Sequence, residues 1–205
     1  MPPPSHLELQ GPRPARKSRG ITGAGSRAAW WLAFLFVSPL IAEPPPHHYE
    51  VKAALLHSFT KFIAWPPQAF ASPDAPFVIG LLGKDPFGTR IDAVLEAKTA
   101  QGRRIEIRRL TLEQEAAECH ILFLGPMDRT LEFAILKRFR TSPILTLGES
   151  DDFWLHNGAI QFIRYKNRVH FRIDLDATDL AGLKIDPNLL KVAREVKRTA
   201  SPSLE

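Results

Sequence analysis

The sequence predicts a single α/β domain: a mixed, mostly parallel sheet flanked by helices on both faces, with a C-terminal β-hairpin. Three observations carry that prediction. Short continuous apolar runs such as "FVIGLL" and "HILFL" have the composition of strands buried on both faces. They alternate with stretches of about a dozen residues whose apolar positions recur at the helical period. Two runs, "AIQFIRY" and "RVHFRIDL", are separated only by Lys166-Asn167, the chemistry of a tight hairpin turn.

The first helix is expected over Tyr49–Ala64, with Leu55, Leu56, Phe59, Phe62 and Ile63 on one face. Trp65 precedes Pro66, which disfavours the helical conformation and ends the helix. Residues 43–48, "EPPPHH", form a Pro-rich arm ahead of it. Strands are expected over 76–83, 103–110, 120–125 and 142–148. After the first, Asp85 and Pro86 suit the cap and first position of a helix with a Phe87, Ile91, Val94 and Leu95 stripe. A third helix over 127–139 presents Leu131, Ala134, Ile135 and Phe139.

In the hairpin's second strand, Val169, Phe171, Ile173 and Leu175 alternate with polar residues, so one face is buried. A short helix follows, capped by Asp176 and stopped by Gly182. Asp186-Pro187 starts the last helix, with Leu189, Leu190, Ala193 and Val196 as its core stripe. The domain is expected over 49–198, with a polar, disordered tail at 199–205.

The chain has 205 residues, 44% hydrophobic and 24% charged, which suits one domain with a sizeable core. Its formal charge of +5 first suggests an anionic partner. The location of the charge changes that reading. Arg13, Arg16, Lys17, Arg19 and Arg27 precede the apolar run "AAWWLAFLFVSPL", and Ala42 follows before a polar turn. That is the pattern of a secretory signal peptide over 1–42. The run is shorter than the roughly 20 residues of a spanning helix, and Pro39 lies inside it.

Cleavage is expected after Ala42, although Leu40 is larger than the residue usually preferred there. An uncleaved anchor is the alternative, and the long basic stretch before Arg27 is consistent with an upstream start codon. Removing residues 1–42 takes five of the 27 basic and one of the 22 acidic residues, leaving a net charge of +1. The charge argument for nucleic acid then disappears.

Motifs of catalysis and cofactor binding are missing from the sequence. It contains no Gly-x-Ser-x-Gly, His-Glu-x-x-His, Cys-x-x-Cys or phosphate-loop pattern. Gly80, Gly83 and Gly88 do not match the dinucleotide fingerprint. No catalytic, cofactor or metal residues are assigned. Cys119 and His120 are strand neighbours expected to point to opposite faces, which separates them as metal ligands. Cys119, the one cysteine, is expected to be a buried, inert thiol. Glu149, Asp151 and Asp152 read as a solvated loop. Trp65 and Trp154 lie at element ends, where each suits either a core plug or a contact residue.

The order "YEVKAALLHSFTKFIAWP", "IGLLGKDPFG", "CHILFLG", "ILTLGES", "GAIQFIRYKNRVHFRIDL" and "AGLKIDPNLLKVA" closely resembles the YfiR-like periplasmic proteins, from Tyr49 to Arg194. The resemblance implies a non-enzymatic regulator that binds the periplasmic sensor region of an inner-membrane diguanylate cyclase and represses it. It also implies sequestration by an outer-membrane lipoprotein, with the released cyclase raising cyclic di-GMP and favouring biofilm. A homodimer is a further expectation. A small-molecule sensor module, with an apolar pocket near Trp65 or the final helix, is the alternative.

Two departures bear on what carries over. Cys119 stands alone, so control by disulfides is not expected, and the hairpin's usual Asn positions hold Gln161 and Asp174, which could retune a cross-strand hydrogen bond. By resemblance the partner-binding residues are Trp65, Pro66, Leu180, Leu183, Leu190 and Arg194. Leu183, beside Gly182, is expected at a loop edge and partly exposed, and Arg194 on the solvent face of the last helix. The bland reading is that Trp65 and Leu183 only seal the core.

Overall fold

Helix α1 (His47–Phe62) starts two residues earlier than expected, so His47 and His48 belong to it rather than to the Pro-rich arm. The structure, a computed structural model, describes residues 47–199. The expected leader, its cleavage site and the end of the tail lie outside the described residues. The face that α1 buries is also turned from the expected one. Ala53, Leu56, Phe59, Thr60 and Ile63 are buried, while Leu55 is half-buried and Phe62 is 37% exposed. Two polar residues join this inner face because each finds a partner. Thr60 Oγ1 donates to the His57 carbonyl (2.7 Å), and Lys52 pairs with Glu149 (2.6 Å).

The chain then runs through β1 (Ile63–Ala64), β2 (Phe77–Leu82), α2 (Arg90–Leu95), β3 (Thr99–Ala100), β4 (Arg103–Leu110) and β5 (Ile121–Leu124). It continues through α3 (Arg129–Arg138), β6 (Leu145–Gly148), β7 (Ile160–Tyr165), β8 (Arg168–Asp174) and α4 (Leu175–Leu180). It closes with β9 (Lys184–Ile185), α5 (Pro187–Val192) and β10 (Glu195–Lys197). The main sheet has eight strands in the order β10-β8-β7-β6-β5-β2-β4-β3. Strands β4, β2, β5, β6 and β7 are parallel; the β7–β8 and β3–β4 pairs are antiparallel, so the sheet is mixed and mostly parallel.

Side-chain alternation along these strands separates two cores. Phe77, Ile79, Leu81, Ile121, Phe123, Leu145 and Leu147 face α1, α2, α4 and α5. Val78, Leu82, Leu122 and Leu124 face α3 and the 3-10 helix at Glu113–Glu118, which the sequence pattern did not reveal. Gly80, in mid-strand, leaves the space that Cys119 occupies on this second face: a Cβ there would stand 2.5 Å from the Cys119 sulfur. Cys119 lies just before β5, and burial pushes its thiol pKa up to about 12, so it holds its proton at physiological pH.

Several expected boundaries shift for local reasons. Asp85 accepts from the Phe87 and Gly88 amides, closing a turn rather than capping α2. Gly88 takes φ +55°, and the helix starts at Arg90. Asp128 caps α3 by accepting from Thr130 and Leu131. The buried side of α3 is Glu132, Ile135 and Leu136, with Phe139 beyond its end, leaving Leu131 exposed. Asp174, not Asp176, caps α4, accepting from the Ala177 amide. Asp176 instead accepts from the Thr199 amide.

The last helix ends at Val192 rather than running on to Val196. The Arg194 amide bonds the Phe171 carbonyl, which draws the chain into β10 beside β8 and leaves Val196 38% exposed. Lys166 and Asn167 take φ values of +45° and +60°, the left-handed turn expected between β7 and β8. Gln161 stands opposite Arg172, not Asp174, and its amide donates to the Ser150 carbonyl (2.6 Å). Asp174 in turn accepts from Lys197 Nζ (2.7 Å), so these two positions bond to separate partners. Among the described residues no helix is long and apolar enough to cross a membrane.

Candidate functional site

The Trp-Pro stop builds a corner where two distant segments meet. As α1 ends, Ile63 and Ala64 pair antiparallel with Ile185 and Lys184, and the Asp186 amide donates to the Phe62 carbonyl (2.8 Å). Gly182 turns with φ +69°, and Pro66 lies 4.0 Å from where its Cβ would stand. The structure thus joins Trp65-Pro66 to the segment around Leu183, as a shared site requires.

The corner also corrects the expected exposure. Trp65 is 6% and Leu183 1% exposed; both are core side chains. A loop-edge position did not expose Leu183 because the β1–β9 pairing folds that loop onto the main core. Trp154, the other tryptophan at an element end, is likewise buried, under the Arg172 guanidinium. Pro66 and Leu190 are half-buried, and Leu180 is 44% exposed. Arg194 is exposed, but it follows α5 and lies elsewhere, with its guanidinium 3.9 Å from the centre of the Tyr165 ring. A groove of about 530 Å³ runs beside the β1–β9 pair, lined by Lys61, Phe62, Gln101, Lys184 and Ile185 among others.

Beneath the corner an aromatic stack holds the 65–76 loop. Trp65 packs edge-on against Phe77 (4.9 Å), and its Nε1 donates to the His120 carbonyl (3.1 Å). The His120 ring stacks on both Phe70 (4.4 Å) and Phe77 (4.9 Å), which lie 6.2 Å from each other. Arg103 lies 4.0 Å over Phe70 and donates to the Ser72 and Ala75 carbonyls. Neither His120 nor Arg103 was marked by the sequence pattern as part of this assembly.

Two hydrogen bonds fix the tautomer of His120. Nδ1 accepts from the Val78 amide (3.0 Å), so the proton sits on Nε2, which donates to the Ala69 carbonyl (3.1 Å). Burial lowers its pKa below the ordinary 6.5; the Ala69 bond opposes this, while Arg103 and Arg108 add to it. The unfolded chain therefore binds this proton at higher pH than the folded one. The stability His120 contributes is fully present above pH 6.5 and is lost as pH falls through the folded value. Unfolding free energies from urea titration are expected to fall below pH 6.5, by up to about 1.4 kcal/mol per pH unit, and His120→Asn to flatten that limb.

The opposite pole, at the C-terminal ends of the parallel strands, is where open α/β sheets take ligands. Here the crevice between β2 and β5 is closed by backbone. Gly125 donates to the Leu82 carbonyl, and any side chain at Gly125 would collide with the Lys84 carbonyl. Glu149 and Asp152, expected in a solvated loop, are ion-paired with Lys52 and Arg129 (2.6 Å each). Among the described residues no group of three or more His, Cys, Asp and Glu is placed to hold a metal ion.

Fold and corner define an α/β domain whose distinctive residues build an aromatic clamp under a surface corner. The chain belongs to the YfiR/HmsC-like family (DUF4154), whose sequence profile matches residues 49–194. Members of this family are generally non-enzymatic regulators. Among solved structures, the chain is similar to an ABC domain from Streptococcus pneumonia in complex with L-Trp, at 12% identity and a TM-score of 0.47. That match covers 73% of this chain, which spans 60% of the other.

Proposed function

We propose that this domain works in the periplasm, exported by a cleaved leader over 1–42, where it binds and represses the sensor region of an inner-membrane signalling enzyme. The enzyme is a diguanylate cyclase whose product, cyclic di-GMP, favours biofilm, and an outer-membrane lipoprotein relieves the repression by sequestering the regulator. The observation that carries this reading is the family match over 49–194, nearly the whole described chain. Pro66, Leu180 and Leu190 supply the outer surface of the proposed contact, while Trp65 and Leu183 support it from beneath. Arg194 contributes from its place beside Tyr165. The alternative, a small-molecule pocket near Trp65, fits less well, because the protein's own aromatic rings fill that space.

Pull-down from the envelope fraction with the exported protein as bait tests the proposal. A membrane diguanylate cyclase should be captured, and deletion of the gene should raise cyclic di-GMP. Unchanged cyclic di-GMP and no cyclase in the eluate would refute it. Leu180→Asp, on a 44% exposed residue, should weaken capture by about 2 kcal/mol or more while leaving the thermal midpoint nearly unchanged.

A further inference from the structure

The β7–β8 hairpin projects from the sheet. Strand β6 ends at Gly148, opposite Gln161, and β7 continues through residues 162–165 with no strand paired to it on that side among the described residues. Phe162 still packs in the core, so the exposed part of the ribbon starts at Arg164, roughly 7 Å before the turn. On the other side β10 joins β8 only from Arg172 onward. Residues 164–168, Arg-Tyr-Lys-Asn-Arg, are all exposed.

Their charges gather at one place without acidic neighbours. The Arg108–Arg109 cluster is neutralised by Glu106, Glu118, Asp85 and Asp92. Arg164, Lys166, Arg168 and the adjoining Arg194 have no carboxylate partner among the described residues. No acidic residue lies between Ile160 and Ile173. The cations surround the tip rather than lining one side of it. Arg164 shares the face of Phe162 and Val169, Arg168 shares the opposite face with Tyr165, and Lys166 occupies the turn. Tyr165, 39% exposed, has Lys166 and Arg194 at 5.5 and 3.9 Å from its ring.

We propose that this hairpin tip docks on anionic phospholipid headgroups. A flat layer of phosphates can engage cations on both faces of a projecting ribbon at once, whereas a protein patch meets chiefly one face. A tyrosine between two cations suits the headgroup boundary, where an apolar ring and a polar tip are both accommodated. The inference rests on the periplasmic reading above for its address, the outer leaflet of the inner membrane, where it would hold the regulator beside a membrane-bound partner.

Flotation of the exported protein with vesicles of phosphatidylglycerol and phosphatidylethanolamine, against phosphatidylcholine alone, tests this without any protein partner. The inference and the repression reading can therefore fail separately. Binding is expected only to the anionic vesicles and should weaken steeply as salt rises. Arg164→Gln/Lys166→Gln/Arg168→Gln should bind roughly 100-fold more weakly, as three lost headgroup attractions imply. Tyr165→Ser should weaken it further. Equal binding to both vesicle types, salt-independent binding, or full binding by the folded triple variant would overturn the proposal. So would a triple variant that loses capture of the cyclase in detergent while the wild-type protein ignores anionic vesicles, which would assign the tip to an acidic protein surface.

Discussion

Trp65→Ala is expected to lower the stability of the domain by about 3–5 kcal/mol, and Leu183→Asp to cost at least as much. The indole is 6% exposed, packs edge-on against Phe77 and donates to the His120 carbonyl. Truncating it leaves a cavity under the corner and loosens the stack that holds Phe70 and the 65–76 loop. At Leu183, 1% exposed, aspartate would place a carboxylate in the main core with no cation to meet it. Against a total stability of about 5–15 kcal/mol, either change removes a large share.

Trp65→Phe separates packing from bonding, since it keeps most of the apolar contact and loses one hydrogen bond of about 1 kcal/mol. Urea unfolding and partner affinity measured on the same purified proteins decide between a core role and a contact role. The structure leads us to expect large drops in midpoint and unchanged affinity per folded molecule. A stable Leu183→Asp protein that no longer binds its partner would show that Leu183 is a contact after all.

The parts of the fold written in local pattern were legible from the sequence. Lys166-Asn167 between two alternating strands has one good solution, and the apolar runs of β2 and β5 fit only a sheet covered on both sides. Errors arose where a distant segment decided the outcome. Val196 continues the helical stripe of α5, yet β8 offers a free edge and the chain joins it. Leu183 follows a helix-stopping glycine, which suggests exposure; the β1–β9 pairing that buries it spans more than a hundred residues of sequence. Lys52 stands one turn before Leu56 on the apolar side of the helical wheel, yet its charge argues for exposure, because its reason to be buried is Glu149 on another element. The corner's membership was thus readable from the resemblance, but which of its residues face outward was not.

The second large effect is expected at that buried ion pair. Lys52 Nζ lies 2.6 Å from Glu149 Oε2, with side-chain exposures of 10% and 28%, and 4.3 Å from the centre of the Tyr49 ring. The pair fastens the first half of α1 to the end of β6. Lys52→Met should cost about 3–5 kcal/mol, chiefly because the Glu149 carboxylate is left desolvated without its cation. Glu149→Leu alone should cost a comparable amount for the converse reason. The double variant replaces both charges by apolar groups of similar size and should recover much of the loss, giving a strong coupling in the double-mutant cycle. Single variants costing less than about 0.5 kcal/mol would place the pair with ordinary surface ion pairs and refute this account. Hydrogen exchange should locate the effect. Amides in the first half of α1 should exchange faster in Lys52→Met, while Phe62–Trp65, held by the β1–β9 pairing and the aromatic stack, should stay protected. The corner would then remain competent for its partner in a protein whose first helix has been loosened at its other end.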